Sequence, residues 1–132
     1  SFPTRRSSDL EAGRAGLLHD LGKVVSAATD PAHPASGAEV LRHLGPLAEL
    51  APLVRGHHER WDGAGWPDGL TAQQQSTLLQ LVAMANALAH LLADCAGPEE
   101  ARTEMCRQAE LGWWNPVLLP HVLGAIPIQP GA

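Results

Sequence analysis

The sequence predicts an all-α protein, a bundle of about five to six helices, and three features carry that expectation. The apolar residues make up 45% of the chain and are mainly Ala and Leu, while Tyr is missing and Phe occurs once. That set favours helix over sheet. Apolar positions recur at helical spacing in several segments, and helix-start signals stand in front of them. At 132 residues the chain is long enough for one domain with its own hydrophobic core.

Residues 1–10, SFPTRRSSDL, resemble the translation of a sequencing-adapter oligonucleotide and are expected to be an artefactual or disordered tail. On that reading the domain occupies residues 11–132 and is expected to lack its natural beginning. A first helix is expected over 11 to about 25, with Leu17, Leu18, Leu21 and Val24 as its apolar stripe. A Pro- and Ala-rich turn at 29–34 leads to a short helix over 36–44. The next helix covers about 47–58, with Leu50, Leu53 and Val54 inward and Pro52 either kinking it or marking its start. Residues 60–70 hold Gly63, Gly65 and Gly69, show no periodicity and read as a loop. Thr71 opens a long helix with Gln74 as its capping-box partner. Its buried stripe is expected to be Leu78, Leu81, Val82, Ala85, Leu88 and Leu92. Pro98 suits the first position of another helix, with Glu99 and Glu100 at its positive end. Asn115-Pro116 starts a last helix to about 125, and 126–132 read as a loose tail. No repeat and no second domain is visible.

Composition narrows the function. A net charge of −5 argues against a nucleic-acid polymer as partner. No secretory signal is seen and no apolar run reaches membrane-spanning length, so a cytoplasmic protein without a membrane segment is expected. Cys95 and Cys106 lack a metal-ligand spacing and read as reduced thiols.

Five of the seven histidines fall between His19 and His58. His19 and Asp20 are neighbours near the end of the first helix. Adjacent helical side chains diverge by about 100°, yet both reach a metal lying over the edge between them. Asp20 offers two oxygens and could bridge two metals. Lys23 lies one turn on, over the same surface, where a cation can hold a phosphate or protonate a leaving oxygen. His33 follows a turn, and His57 and His58 close the third helix. Imidazole and carboxylate together suit Zn, Fe or Mn, so the bundle is expected to surround a metal-binding pocket. His43 reads as solvent-facing, and His90 and His121 as structural.

The segment Leu17-Leu18-His19-Asp20-Leu21-Gly22-Lys23 resembles the signature of the HD superfamily of metal-dependent phosphohydrolases. His33-Pro34, followed by Gly37-Ala38-Glu39-Val40-Leu41, is similar to its third metal-ligand segment. The block from Arg55 through His57-His58-Glu59-Arg60-Trp61-Asp62-Gly63-Ala64-Gly65-Trp66-Pro67-Asp68-Gly69 to Leu70 resembles the long HD-GYP signature. The resemblance runs from about residue 15 to 92. It implies a helical domain around a centre of divalent transition metals, Fe, Mn or Zn, with two expected. His19, Asp20, His33, His57 and His58 would be ligands, and Asp20 and Lys23 the catalytic groups. It also implies hydrolysis of cyclic di-GMP or a related cyclic dinucleotide by metal-activated water. Gly63 and Gly65 would let the backbone turn beside the site. Trp66-Pro67 would form an apolar wall for a base, and the 63–70 loop could meet a signalling partner.

The chain departs from the family pattern at four points. Trp66 replaces a Tyr. The stretch from Lys23 to His33 is short. The upstream helix, which carries a Glu and a His ligand and would cover Leu17, Leu21 and Leu81, would lie before Glu11 and is absent. Asn86 stands where an Asp ligand is usual, and the polar residues that normally follow are not recognisable after His90. As written the chain is therefore expected to be weakly active or inactive, with hydrolase activity in the intact parent. Two alternatives stay open: a degenerate HD or HDOD-like signalling or protein-interaction module without catalysis, and a phosphohydrolase acting on another nucleotide.

Overall fold

Helix is the one regular structure among the residues described by the computed structural model, 5–24 and 30–126, without the side chains of residues 5–9, 17, 21 and 24. Six α-helices follow one another: α1 (Arg5–Leu18), α2 (His33–Arg42), α3 (Ala51–Arg55), α4 (Thr77–Asp94), α5 (Pro98–Glu110) and α6 (Leu119–Leu123). Short 3-10 turns lie at Leu21–Val24, Gly45–Leu50 and Ala72–Gln74. The all-α bundle is as expected, and most differences lie at helix ends.

α1 reaches back to Arg5, so residues 5–10 are helical. No Pro or Gly interrupts them, and a helix propagates at little cost once nucleated. α1 also stops at Leu18 instead of about residue 25. The His19 Nδ1 lies 2.6 Å from the Gly16 carbonyl oxygen, the acceptor that a continuing helix would offer to the Asp20 N–H. Residues 25 and 29, and the tail over 127–132, lie outside the described residues, as do the side chains of Leu17, Leu21 and Val24.

α2 starts at His33, three residues earlier than expected, with Pro34 in its first turn, where a missing N–H costs nothing. Pro52 likewise marks the start of α3 and kinks nothing. Since α3 ends at Arg55, His57 and His58 lie in the turn beyond it. The Thr71–Gln74 box closes the 3-10 turn, with Gln74 Oε1 accepting from the Thr71 N–H at 3.0 Å. Ser76 caps α4 itself, its Oγ accepting from the Leu79 N–H at 3.1 Å. Asn115 Oδ1 accepts from the Val117 N–H at 2.9 Å and holds a turn there, so α6 begins only at Leu119. Ile126 is buried and not part of a loose tail.

α4 buries Leu79, Gln80, Val82, Ala83, Met84 and Leu88 and leaves Ala85 and Leu92 exposed, a rotation away from the expected stripe. The cause is that α4 is packed on two sides, by α1 and α3 and by α5 and α6. One cluster unites Ala15, Ala38, Leu41, Leu50, Val54 and Val82. The other unites Ala83, Met84, Met105, Trp114, Leu119 and Leu123. Against the sequence expectation, α4 is long and apolar enough to cross a membrane, with a mean hydropathy of 1.3 over 18 residues. Length and composition alone carry that statement, and a helix that feeds two cores meets the same test.

Candidate metal centre

The histidines gather where helices end. His19 and Asp20 form the turn after α1, Lys23 lies in the following 3-10 turn, His33 opens α2, and His57 and His58 follow α3. The first two groups touch through Gly22. A Cβ there would stand 1.8 Å from the His33 carbonyl oxygen and 2.7 Å from the Gly37 nitrogen, so only glycine permits the approach.

Asp20 sits at the centre. Its Oδ1 lies 3.3 Å from His33 Nε2 and 3.8 Å from His57 Nε2. Its Oδ2 lies 3.2 Å from His19 Nε2 and 3.1 Å from the Lys23 ammonium. His33 Nε2 is 3.2 Å from both His57 Nε2 and His58 Nε2. His33, His57 and His58 offer nitrogens that all fall within 4.8 Å of one another. The structure thus brings together all five residues named from the sequence as ligands, with Lys23 beside them.

Hydrogen bonding shows what these nitrogens present. Nδ1 of His19, His33 and His57 lies 2.6, 2.9 and 2.6 Å from the carbonyl oxygens of Gly16, Asp30 and Val54. A carbonyl only accepts, so each Nδ1 carries a proton and each ring turns its Nε2 inward, the nitrogen that a neutral imidazole offers to a metal. Burial, reinforced by the neighbouring histidines and opposed by the Val54 carbonyl, pushes His57 down to about 3. Burial and the charge of His33 push His58 down to about 4. Both are neutral at pH 7. Burial acts to raise Asp20, but the Lys23 hydrogen bond and the charges of His19, Lys23 and His57 outweigh it and leave the carboxyl below its ordinary value. An ionised carboxylate and several inward lone pairs at such distances repel one another unless a cation lies between them. This donor set could hold a metal ion.

A stapled loop lies over His58. The buried Glu59 carboxylate accepts from the backbone N–H of Asp68 at 2.7 Å and of Leu70 at 2.9 Å. The Gln75 amide donates to the carbonyls of Arg60 and Leu70 at 2.7 and 2.9 Å. Arg55 holds Asp68 through two bonds of 2.8 and 2.9 Å. A Cβ on Gly65 would stand 2.3 Å from the Arg60 nitrogen, and Gly63 has φ +81°. The loop is therefore fixed, with the Trp66 indole stacked on the His58 imidazole at 4.6 Å between centroids and 14° between planes. The Trp66-Pro67 bond is cis.

A cavity of about 630 Å³ opens beside His19 and Asp20, with Ala12 and Gly16 of α1 on one side and Leu78, Leu81, Asn86 and His90 of α4 on the other. Asn86 shares this cavity with the cluster. Sequence reasoning missed two residues. His90 lines the cavity rather than serving as structural filler, and its charge helps depress His58. Its signal was available, four residues after Asn86 on one helix face. Glu59 is the loop's anchor, and a charged residue beside two histidines gave no sign of burial. His43, as expected, is exposed and contacts Glu39 at 3.2 Å.

The HD domain family model matches residues 6–91. A cyclic di-GMP phosphodiesterase of Pseudomonas aeruginosa is 35% identical over 133 residues, covering 87% of this chain and 31% of that protein. The 3'3'-cGAMP-specific phosphodiesterase 3 of Vibrio cholerae is 32% identical over 96 residues, covering 61% of this chain and 21% of that protein. A ribonuclease Y of Pelobacter propionicus is 43% identical over 49 residues, covering 37% of this chain and 9% of that protein. The chain spans under a third of the length of these relatives. With its His-Asp pair, its clustered histidines and a match over most of its length, the chain belongs to the HD domain family.

Proposed function

We propose that this chain is the hydrolytic core of a metal-dependent phosphodiesterase acting on cyclic di-GMP or a related cyclic dinucleotide. The observation that carries the proposal is the convergence of inward-facing imidazoles on the Asp20 carboxylate. The two phosphodiesterases among its relatives support the substrate class, and the ribonuclease adds that the shared chemistry is phosphodiester cleavage.

His19, Asp20, His33, His57 and His58 would hold the metals, Fe, Mn or Zn, with two expected. Bound divalent metals lower the pKa of water toward neutrality and offset phosphate charge. The chain's own groups do the rest. The Lys23 ammonium, 3.1 Å from Asp20, leaves its carboxylate to hold a phosphate oxygen. The cavity between α1 and α4 seats the nucleoside portion, with apolar side chains against the base and Asn86 and His90 as polar edges. The 63–70 loop, whose Trp66 lies on the His58 imidazole, would offer Trp66 and Pro67 as an apolar wall.

One observation favours the alternative of a non-catalytic module. Asn86 puts a neutral amide on the α4 wall of this cavity, and an amide oxygen is a poorer ligand than a carboxylate. The test is metal analysis of the purified protein, with cleavage of cyclic di-GMP, 3'3'-cGAMP and a linear diribonucleotide followed before and after chelation. Bound transition metal is expected, with chelator-sensitive cleavage of a cyclic dinucleotide that is weak in this chain and faster in Asn86→Asp. Absence of bound transition metal overturns the reading, and metal without cleavage favours the module.

A further inference from the structure

Three of the four clustered imidazoles are aimed in one way and the fourth in another. His19, His33 and His57 each donate Nδ1–H to a carbonyl three residues back, at 2.6, 2.9 and 2.6 Å. That bond fixes both the rotation of the ring and the nitrogen left bare. Among the described residues His58 has no such acceptor. Its Nε2 meets His33 Nε2 at 3.2 Å, and its face lies on the Trp66 indole at 4.6 Å and 14°.

The geometry points to Trp66 as a positioning residue that sets the plane of the His58 imidazole, as backbone carbonyls set the other three. The inference rests on the metal-centre reading above. The indole is well placed for the task. The Trp66 N–H donates to the His58 carbonyl at 3.3 Å, so ring and backbone both bear on the same residue. Gly65 packs against residues 58–60 with no room for a side chain, and Glu59 ties down the loop beyond Trp66. A tryptophan serving only as a core anchor would be buried, whereas Trp66 is 42% exposed and its recorded ring contact is His58. Stacking differs from a hydrogen bond in one respect: it fixes the plane and leaves the proton free to move between the two nitrogens. His58 can therefore donate Nε2–H to the bare His33 Nε2 in the metal-free protein. A metal held at its Nε2 would require the proton to be on Nδ1.

The experiment compares the full chain with Trp66→Phe, which keeps a flat ring, and Trp66→Leu, which keeps apolar bulk without one. Zinc affinity is read by competition with a chelating dye, and ring tautomers by imidazole ¹⁵N spectra. In the native chain His58 alone should change tautomer on zinc uptake. Trp66→Phe should stay within about threefold of native affinity. Trp66→Leu should bind zinc about tenfold or more weakly, the usual scale for losing a group that orients a ligand. Its His58 signals should be averaged while those of His33 and His57 hold. Native affinity in Trp66→Leu with an unchanged His58 spectrum overturns the inference. So does equal disturbance of His33 and His57, which would make Trp66 a fold support only. A native chain that takes up no zinc sinks the metal-centre reading itself, and the inference with it.

Discussion

The two hydrophobic clusters meet on α4 and are built in opposite ways. The C-terminal one packs the 13-residue α5 against α4 through Met84, Met105 and Trp114. The N-terminal one packs Ala38, Leu41, Leu50 and Val54 from helices of ten residues or fewer, joined by 3-10 turns. Broken helices cost hydrogen bonds, because the last carbonyls of every helix lack an internal partner. Here those carbonyls have a use. Gly16 lies in the last turn of α1 and Val54 in that of α3, and each accepts from the Nδ1–H of a clustered histidine. The irregularity of the N-terminal half supplies the acceptors that aim the imidazoles.

This division can be tested by substitutions on either side. The largest expected effect on stability is that of Met105→Ala, a fully buried side chain in the C-terminal cluster. It should cost about 2–5 kcal/mol, read as a fall in Tm, with zinc affinity unchanged in the protein that remains folded. A parallel loss of affinity would mean that the halves act as one. Next comes His57→Ala. It should weaken metal binding by about 100-fold or more, while lowering the Tm of the metal-free protein by less than Met105→Ala, since it leaves one carbonyl without its donor. Smaller again is Lys23→Met. A protonated ammonium cannot ligate metal, so metal content should hold while hydrolysis falls roughly tenfold. Loss of metal in that variant would refute the role assigned to Lys23.

The last prediction concerns pH. His57 and His58 titrate at about 3 and about 4 in the folded state and near 6.5 when unfolded. Their folded values are depressed, so the unfolded chain binds the proton first. Stability is fully present above pH about 6.5 and declines as pH falls from there toward 4 and 3. Tm of the metal-free protein, followed from pH 7 to 4.5, should drop. A His57→Ala, His58→Ala variant should show a shallower slope, and an equal slope would assign the loss to other groups.

The fold class and the cluster were legible for different reasons. Ala, Leu and helical spacing gave the bundle directly. The cluster was legible because its residues stand in short motifs whose order survives folding. Helix ends were not legible, since the bond that stops α1 joins a ring to a carbonyl and has no signature in apolar periodicity. The stripe on α4 was misread because a helix with partners on two sides carries two overlapping stripes: Leu79 and Val82 face one cluster, and Ala83, Met84 and Leu88 face the other. His90 escaped because Asn86, four residues before it, was read only as a weakened ligand, and Glu59 because a buried carboxylate is recognisable only from the N–H groups it meets.

One consequence follows from the way α4 is shared. Val82 belongs to one cluster and Ala83, its neighbour, to the other. No peptide bond along the middle of this helix separates two self-sufficient pieces. A cut there takes a wall from one core or the other. The chain is therefore indivisible at its geometric centre, and pieces made by splitting α4 should recover structure only when both are present together.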